Sequence, residues 1–283
     1  MIFKNSLRVA RANLVLALDP LRFKQRRLMR DATAPVEEKI NFDAYPRPHF
    51  AYGVHRAAMQ AKALGIDAIS VIEFGCAGGN GLLALEAMAL EIGKDVGVRV
   101  DVYGFDVGEG LPKPLDYRDL PYAWKMEQFK MDVPKLKARL TAAQLVIGDV
   151  ADTVEPFGQR EGLAPVGFIS FDLDYYSSTM AAFKIFDAET AKMLPRVYCY
   201  FDDIIGPDNE LHCEYVGELL AIKDFNASKS AKKIAQINGL SWKRYIPAPW
   251  NDSMFIMHAF DHPLYGVYID TKVDMDLALD STN

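Results

Sequence analysis

Cysteine is scarce: Cys76, Cys199 and Cys213 are the three in 283 residues, too few and too scattered for a disulfide framework or a thiolate zinc site. They read as small apolar fillers, and a reducing cytoplasm is the expected compartment. Long apolar runs are missing near the start, where Arg8, Arg11 and Asp19 interrupt the first apolar segment, so neither a spanning helix nor a signal peptide is expected. Positive charge is also in deficit. Lys and Arg number 32 against 38 Asp and Glu, a net charge of −6, which argues against a broad nucleic-acid-binding face because phosphate neutralisation needs clustered cations. A small or neutral substrate suits this balance better. Internal repeats and low-complexity segments are absent too.

Half the residues are apolar and a quarter charged, ordinary proportions for a globular chain. The length suits one large domain with an extension rather than two full domains. The extension is residues 1–66 and the main domain 67–283. Within the first 30 residues Lys4, Arg8, Arg11, Arg22, Lys24, Arg26, Arg27 and Arg30 surround the apolar stretch Leu14 to Leu18. This segment reads as the solvated face of a packing or oligomerising helix, which leaves room for a homo-oligomer; an acidic membrane surface or another partner is the alternative.

From Ile69 onward short apolar runs alternate with helix-period segments, which implies βαβ units and a mostly parallel, doubly wound α/β sheet of Rossmann-like class. Strands are expected at Ile69 to Phe74, Val98 to Phe105, Leu145 to Gly148, Val166 to Phe171 and Val197 to Phe201. Leu82, Leu85, Ala89 and Ile92 place one apolar face on the first helix, with Gly93 as its expected stop. Two later runs, Ser241 to Ile246 and Met254 to Ala259, suggest an antiparallel hairpin at one edge.

Ligands of open α/β sheets sit outside the carboxyl ends of the strands. Here those ends carry Glu73, Gly75, Cys76, Ala77, Gly78 and Gly79, then Asp106, then Gly148, Asp149 and Val150, then Asp172, then Asp202 and Asp203. Glycines let backbone N–H groups approach a ligand, and Asp106 could grip both hydroxyls of a ribose. Gly79-x-Gly81-x-x-Ala84 also satisfies a dinucleotide fingerprint, so the glycines alone do not separate a nicotinamide cofactor from S-adenosylmethionine. Glu73 tips the balance: beside a pyrophosphate it repels, beside an ammonium and a sulfonium it attracts.

Asp172, Asp174, Asp202 and Asp203 follow strongly apolar strands, and gathering them costs several kcal/mol, on the order of what buried like charges demand, unless a cation or protons compensate. Oxygen donors select hard ions, with Mg²⁺ the natural choice and Ca²⁺ or Mn²⁺ alternatives. Capping of helices and turns is the plainer explanation, and it suits Asp174, just ahead of the expected helix start at Ser177 to Thr179. His49, His55, His212, Tyr45, Tyr52 and Tyr175 are further polar residues near these ends, for which packing is the first reading.

In this set of motifs the chain resembles the macrocin O-methyltransferase family. Glu73 to Gly81 matches its acidic, glycine-rich first motif, and Asp106, Gly110, Leu111 and Pro112 match its Asp-Ser-Phe-x-Gly-Leu-Pro signature with the Ser-Phe pair replaced. Gly148 through Asp152 and Thr153 echo a glycine strand leading to Asp-Thr. Asp172, Asp174, Tyr176, Ser178 and Thr179 match Asp-Gly-Asp-Leu-Tyr-Glu-Ser-Thr, with Leu173, Tyr175 and Ser177 departing, and Asp202 with Asp203 match the Asp-Asp after the fifth strand. The resemblance spans about residues 70 to 225. It implies an S-adenosylmethionine-dependent O-methyltransferase acting on a small-molecule hydroxyl, a sugar or other natural product, with Asp172, Asp202 and Asp203 on a divalent metal and Asp174 as general base. An NAD(P)-dependent oxidoreductase on a similar sheet and a catalytically inactive S-adenosylmethionine-binding protein are the competing readings.

Overall fold

The structure, a computed structural model, describes residues 19–270; Lys4, Arg8, Arg11 and the apolar stretch Leu14 to Leu18 lie outside them. Among the described residues three helices come first: α1 (Pro20–Arg30), α2 (Val36–Asn41) and α3 (Pro48–Ala63). Then β1 (Ala68–Phe74), α4 (Asn80–Val96), β2 (Arg99–Asp106), α5 (Val133–Lys137), β3 (Gln144–Ile147), α6 (Val150–Gly158), β4 (Val166–Phe171), α7 (Tyr176–Ala182), β5 (Met193–Phe201) and α8 (Gly217–Ser228) alternate. β6 (Lys232–Gln236) and β7 (Met254–Ala259) close the sheet.

The seven strands lie in the order β3-β2-β1-β4-β5-β7-β6, with β1 to β5 parallel and β7 antiparallel to both its neighbours. The doubly wound, mostly parallel sheet expected from the alternation is therefore present. β1 shows why its sequence is so apolar: Ile69 and Val71 join the core under α3 and α4, whereas Ile72 and Phe74 join the core on the α6–α8 side. A strand covered on both faces favours apolar side chains at nearly every position, and in β1 Ser70 and Glu73 are the buried exceptions. The second core is rich in aromatic rings, with Phe171 stacked on Phe201 at 4.8 Å between ring centres.

α3 belongs to the sheet's own core, since Phe50, Val54 and Ala57 are buried together with Ile69 and Phe168. The extension and the main domain thus share one apolar interior. α4 buries the four expected side chains but runs past Gly93 to Val96, and Gly97 at φ +80° ends it. Gly93 stays helical because the helix still has apolar side chains to bury on this face, Val96 among them, while Gly97 supplies the left-handed turn that other residues resist.

The expected carboxy-terminal hairpin needs correction. Residues Ser241–Lys243 form a 3₁₀ turn rather than a strand, and β7 pairs instead with β6 on one side and β5 on the other. β6 reads Lys-Lys-Ile-Ala-Gln and buries only Ile234, so it lacks the apolar density of a strand in sequence. Its exposed edge is blunted by Asn226 of α8, whose side chain accepts from Ile234 N–H at 2.7 Å and donates to Ile234 C=O at 2.7 Å.

Candidate active site

The parallel strands end at a cavity of about 520 Å³, within the ordinary size of a small-molecule site. Gly75, Ala77 and Asp106 line one part of it, Gly148, Asp149 and Val150 a second, and Asp172, Asp174, Asp202 and Asp203 a third. The segment between β2 and α5 roofs it with Leu111, Pro112, Leu115, Trp124 and Phe129.

The glycine turn is set by close approach. Gly75 has φ +82°, and a Cβ there would lie 1.7 Å from the carbonyl oxygen of Asp172. Gly75→Ala is therefore expected to destabilise the fold by roughly 2–5 kcal/mol, from the left-handed backbone and the forced separation of β1 and β4. A denaturant titration reads this directly, and a midpoint within experimental error of the parent would contradict the contact.

Of the glycine-turn residues, Glu73, Cys76, Gly78 and Gly79 do not line the cavity. Glu73 is buried beneath the turn, its Oε1 so close to Gly81 that a Cβ there would sit 1.8 Å away. Burial pushes its carboxyl up to about 8, so at neutral pH it is mostly protonated and does not offer the full negative charge that the sequence suggested. Cys76 is buried, with Sγ 3.7 Å from the carbonyls of Glu73 and Phe105. Gly79 is the left-handed residue that starts α4.

Asp106 reaches the cavity with both oxygens already engaged. Oδ2 accepts from Cys76 N–H at 2.9 Å and Ala77 N–H at 2.8 Å, and Oδ1 accepts from Gly108 N–H at 2.6 Å. Each oxygen keeps further acceptor capacity for a ligand hydroxyl. Burial raises this carboxyl while the three N–H groups pull it back down. Asp149 caps α6 by accepting from Ala151 N–H at 2.8 Å.

The carboxyl groups of Asp172, Asp174, Asp202 and Asp203 crowd together at one side of the cavity. Asp172, Asp202 and Asp203 each offer an oxygen, all within 4.8 Å of one another. Asp203 Oδ2 accepts from the Asp174 N–H at 2.8 Å, and Asp203 N–H donates to Glu218 Oε2 at 3.1 Å. Tyr200 Oη donates to Asp202 Oδ1 at 2.7 Å. Burial, then the charges of Asp203 and Asp202, holds Asp172 well above the ordinary carboxylate range. Asp203 is raised by burial and by Asp174 and Asp202, and Glu218 by burial and Asp203. Asp174 rises to about 8 through burial and then Asp172 and Asp202.

Such a group has two ways to relax: take up protons, or take up a cation. The set of oxygen donors, one buried behind another with Glu218 Oε1 lacking any hydrogen-bond partner, fits a hard divalent ion.

Asp174 does not cap α7, the plain role its position in sequence allowed. That role falls to Asp119 in the roof segment, which is buried and accepts from Ser177 N–H, Ser177 Oγ and Leu115 N–H, each at 2.9 Å. Asp174 instead adopts φ +58°, a conformation that Asp and Asn tolerate better than most residues. Asp119, Tyr200 and Glu218 were not singled out in sequence. Glu218 alone leaves a trace there, as an acid inside the apolar run Val216 to Leu220; Asp119 and Tyr200 leave none.

The secondary candidates are packing residues. His49 stacks on Tyr200 at 4.0 Å, and burial, then the charge of Arg47, holds its imidazole down at about 3. Tyr52 and His55 are buried along α3, and Tyr45 is buried just ahead of it. Tyr175 is buried and donates to Pro112 C=O at 3.1 Å, and His212 pairs with Glu210 at 2.8 Å.

No family model matches the chain, and no curated protein matches it. Solved structures similar to it include CalS11, a calicheamicin methyltransferase, at 20% identity over 85% of this chain and 93% of that one, with a TM-score of 0.48. The O-methyltransferase TomG from Streptomyces achromogenes, solved with SAM, is 14% identical over 73% and 89%, TM-score 0.36. MycE, from the mycinamycin pathway and solved with Mg, SAH and mycinamycin VI, is 15% identical over 76% and 50%, TM-score 0.38. Those activities and ligands belong to those proteins. Among the described residues no helix is long and apolar enough to cross a membrane.

Proposed function

We propose that this protein is a divalent-cation-dependent O-methyltransferase, taking a methyl group from S-adenosylmethionine to a hydroxyl of a small molecule, with a sugar as the foremost acceptor. The observation that carries the reading is the juxtaposition of Asp172, Asp202 and Asp203, within 4.8 Å of one another, and a cavity continuous with Gly75 and Asp106. A dinucleotide fold of strand order 3-2-1-4-5-6 has no reversed strand next to β5, whereas β7 lies there in this sheet.

Asp106, Gly75, Ala77 and the Gly148 to Val150 turn would hold the donor, under the apolar roof of Leu111, Trp124 and Phe129. The sulfonium supplies an electrophilic methyl group. Asp172, Asp202 and Asp203 would hold the cation, Mg²⁺ in the first instance, which supplies Lewis acidity toward an acceptor hydroxyl. Tyr200 holds the Asp202 side chain, and Glu218 holds the Asp203 backbone through its N–H. Asp174 accepts the hydroxyl proton on its carboxylate, its backbone fixed by the bond to Asp203. Holding two reactants in line is worth roughly 7–11 kcal/mol in well-oriented systems, so positioning by these groups accounts for much of the rate.

The test is transfer of labelled methyl from S-adenosylmethionine across a panel of glycosides, polysaccharide fragments and phenols, with Mg²⁺ and with chelator. Mg²⁺-dependent label on a sugar hydroxyl is the expected outcome. Calorimetry that finds NAD(H) binding and no S-adenosylmethionine binding would end the reading.

A further inference from the structure

The cavity is lined by unequal charge. Asp106, Asp149, Asp172, Asp174, Asp202 and Asp203 line it, and among the described residues that do so Lys113 is the one cation. Lys113 has no hydrogen-bond or ion-pair partner among the described residues, yet its backbone is firmly held. Pro112 and Pro114 flank it, and each ring fixes a backbone angle. The Pro112 carbonyl accepts from Tyr175 Oη at 3.1 Å, and Leu115 N–H donates to Asp119 Oδ2 at 2.9 Å. Trp124 is a second donor of the roof without an acceptor: it lines the same cavity, and its indole N–H is buried with no hydrogen-bond partner. Leaving such a donor unpaired is unfavourable, and a ligand oxygen in the cavity relieves it.

Both donors stand toward β4 and β5. Tyr175, and Ser177 to which Asp119 is bonded, follow β4, and Trp124 N–H donates to the carbonyl of Leu120 at 3.2 Å. Leu120 lies against Gly217, the start of α8 after β5, where an added Cβ would stand 3.0 Å from its Cδ1. Across the sheet the order is β3, β2, β1, β4, β5. A donor with its ribose on Asp106, after β2, must turn its sulfur toward the acids after β4 and β5 for the methyl group to meet a hydroxyl there. The purine then points toward β3, and the amino-acid end runs under the stretch of roof that carries Lys113 and Trp124.

We propose that Lys113 and Trp124 hold the α-carboxylate of S-adenosylmethionine, an inference that rests on the methyl-transfer reading above. The donor carries three charged groups. Its ammonium and sulfonium suit a wall of carboxyl groups, whereas its carboxylate is repelled by that wall and drawn to the cavity's one ammonium. An N–H donated to a carboxylate is a charge-assisted bond, stronger than one donated to a neutral oxygen, so the orphaned indole and the lysine act on the same group. Nucleosides that lack the amino-acid end forfeit both bonds, and the roof is where the site tells its donor from them.

Calorimetry on the full chain, with Mg²⁺ and with chelator, is to compare S-adenosylhomocysteine with 5′-methylthioadenosine, which lacks the amino-acid end. Lys113→Gln should bind S-adenosylhomocysteine about tenfold more weakly and Trp124→Phe about fivefold, the ordinary values of a charged and a neutral donor. Both variants should bind 5′-methylthioadenosine as the parent does, which also shows that they fold. Lys113→Arg, which keeps the charge, should bind S-adenosylhomocysteine more tightly than Lys113→Gln. The proposal is overturned if both variants match the parent for S-adenosylhomocysteine, since the two donors then serve another ligand, or if they weaken the two ligands equally. It is equally overturned if chelator abolishes the parent's preference for S-adenosylhomocysteine, because the carboxylate then lies on the divalent cation. A parent chain that binds neither ligand ends the methyl-transfer reading, and this inference with it.

Discussion

With Asp174 replaced by Asn, methyl transfer is expected to slow by at least about a hundredfold, the ordinary value of a general base, while donor and Mg²⁺ binding persist. The substitution keeps the side chain's size, tolerates φ +58°, and leaves the backbone bond to Asp203 in place. The pH profile adds a second readout. Asp174 titrates near 8 because of burial and its acidic neighbours, and a base must start unprotonated, so single-turnover rates should climb with pH. A cation among the carboxylates draws that rise to lower pH. In Asp174→Asn the rise attributable to this group should vanish; an unchanged rate and profile would remove Asp174 from the chemistry.

Without divalent cation the protein should lose stability as the pH rises. Asp174 and Glu73 hold their protons to about 8 in the folded chain, whereas in the unfolded chain carboxyls ionise near 4. Between those values the folded state binds more protons than the unfolded one. The associated stability is therefore complete below about pH 4 and is lost as the pH climbs through about 8. Asp172, Asp203 and Glu218, also raised, act in the same direction. A cation competes with those protons, so its affinity grows with pH. At about a hundred times its dissociation constant a ligand adds about 2.7 kcal/mol, or roughly 5–10 °C in melting temperature for a chain of this size. Melting curves in chelator and in Mg²⁺ should thus diverge at about pH 8 and converge at about pH 5. Superimposable curves at both values would mean that the cluster holds no cation.

The strand ends were legible because burial on both faces forces apolar runs, and each run stops where chemistry begins. Val166 to Phe171 is read in sequence with the same bounds as in the structure, and Asp172, Asp202 and Asp203 converge as their positions implied. β6 was not legible: an edge strand with one buried side chain and two lysines carries no period. Ser241 to Ile246 misled because Trp242, Tyr245 and Ile246 have the composition of a strand, although Trp242 and Tyr245 are exposed and only Ile246 is buried. Glu73 lies behind the cavity wall rather than in it. Sequence gives the residue at a strand end but not whether its side chain faces the ligand or the helix behind it.

The roof over the cavity is stitched at three places: Asp119 to Ser177, Tyr175 to Pro112, and Tyr122 Oη to the carbonyl of Glu210 at 2.7 Å. Two stitches attach just after Asp172 and Asp174, and the third attaches just after Asp202 and Asp203. Whatever shifts the acids must therefore tug on the canopy, and whatever presses on the canopy is felt by the acids. Occupancy beneath the roof and occupancy among the carboxyl groups are therefore expected to be felt by one another.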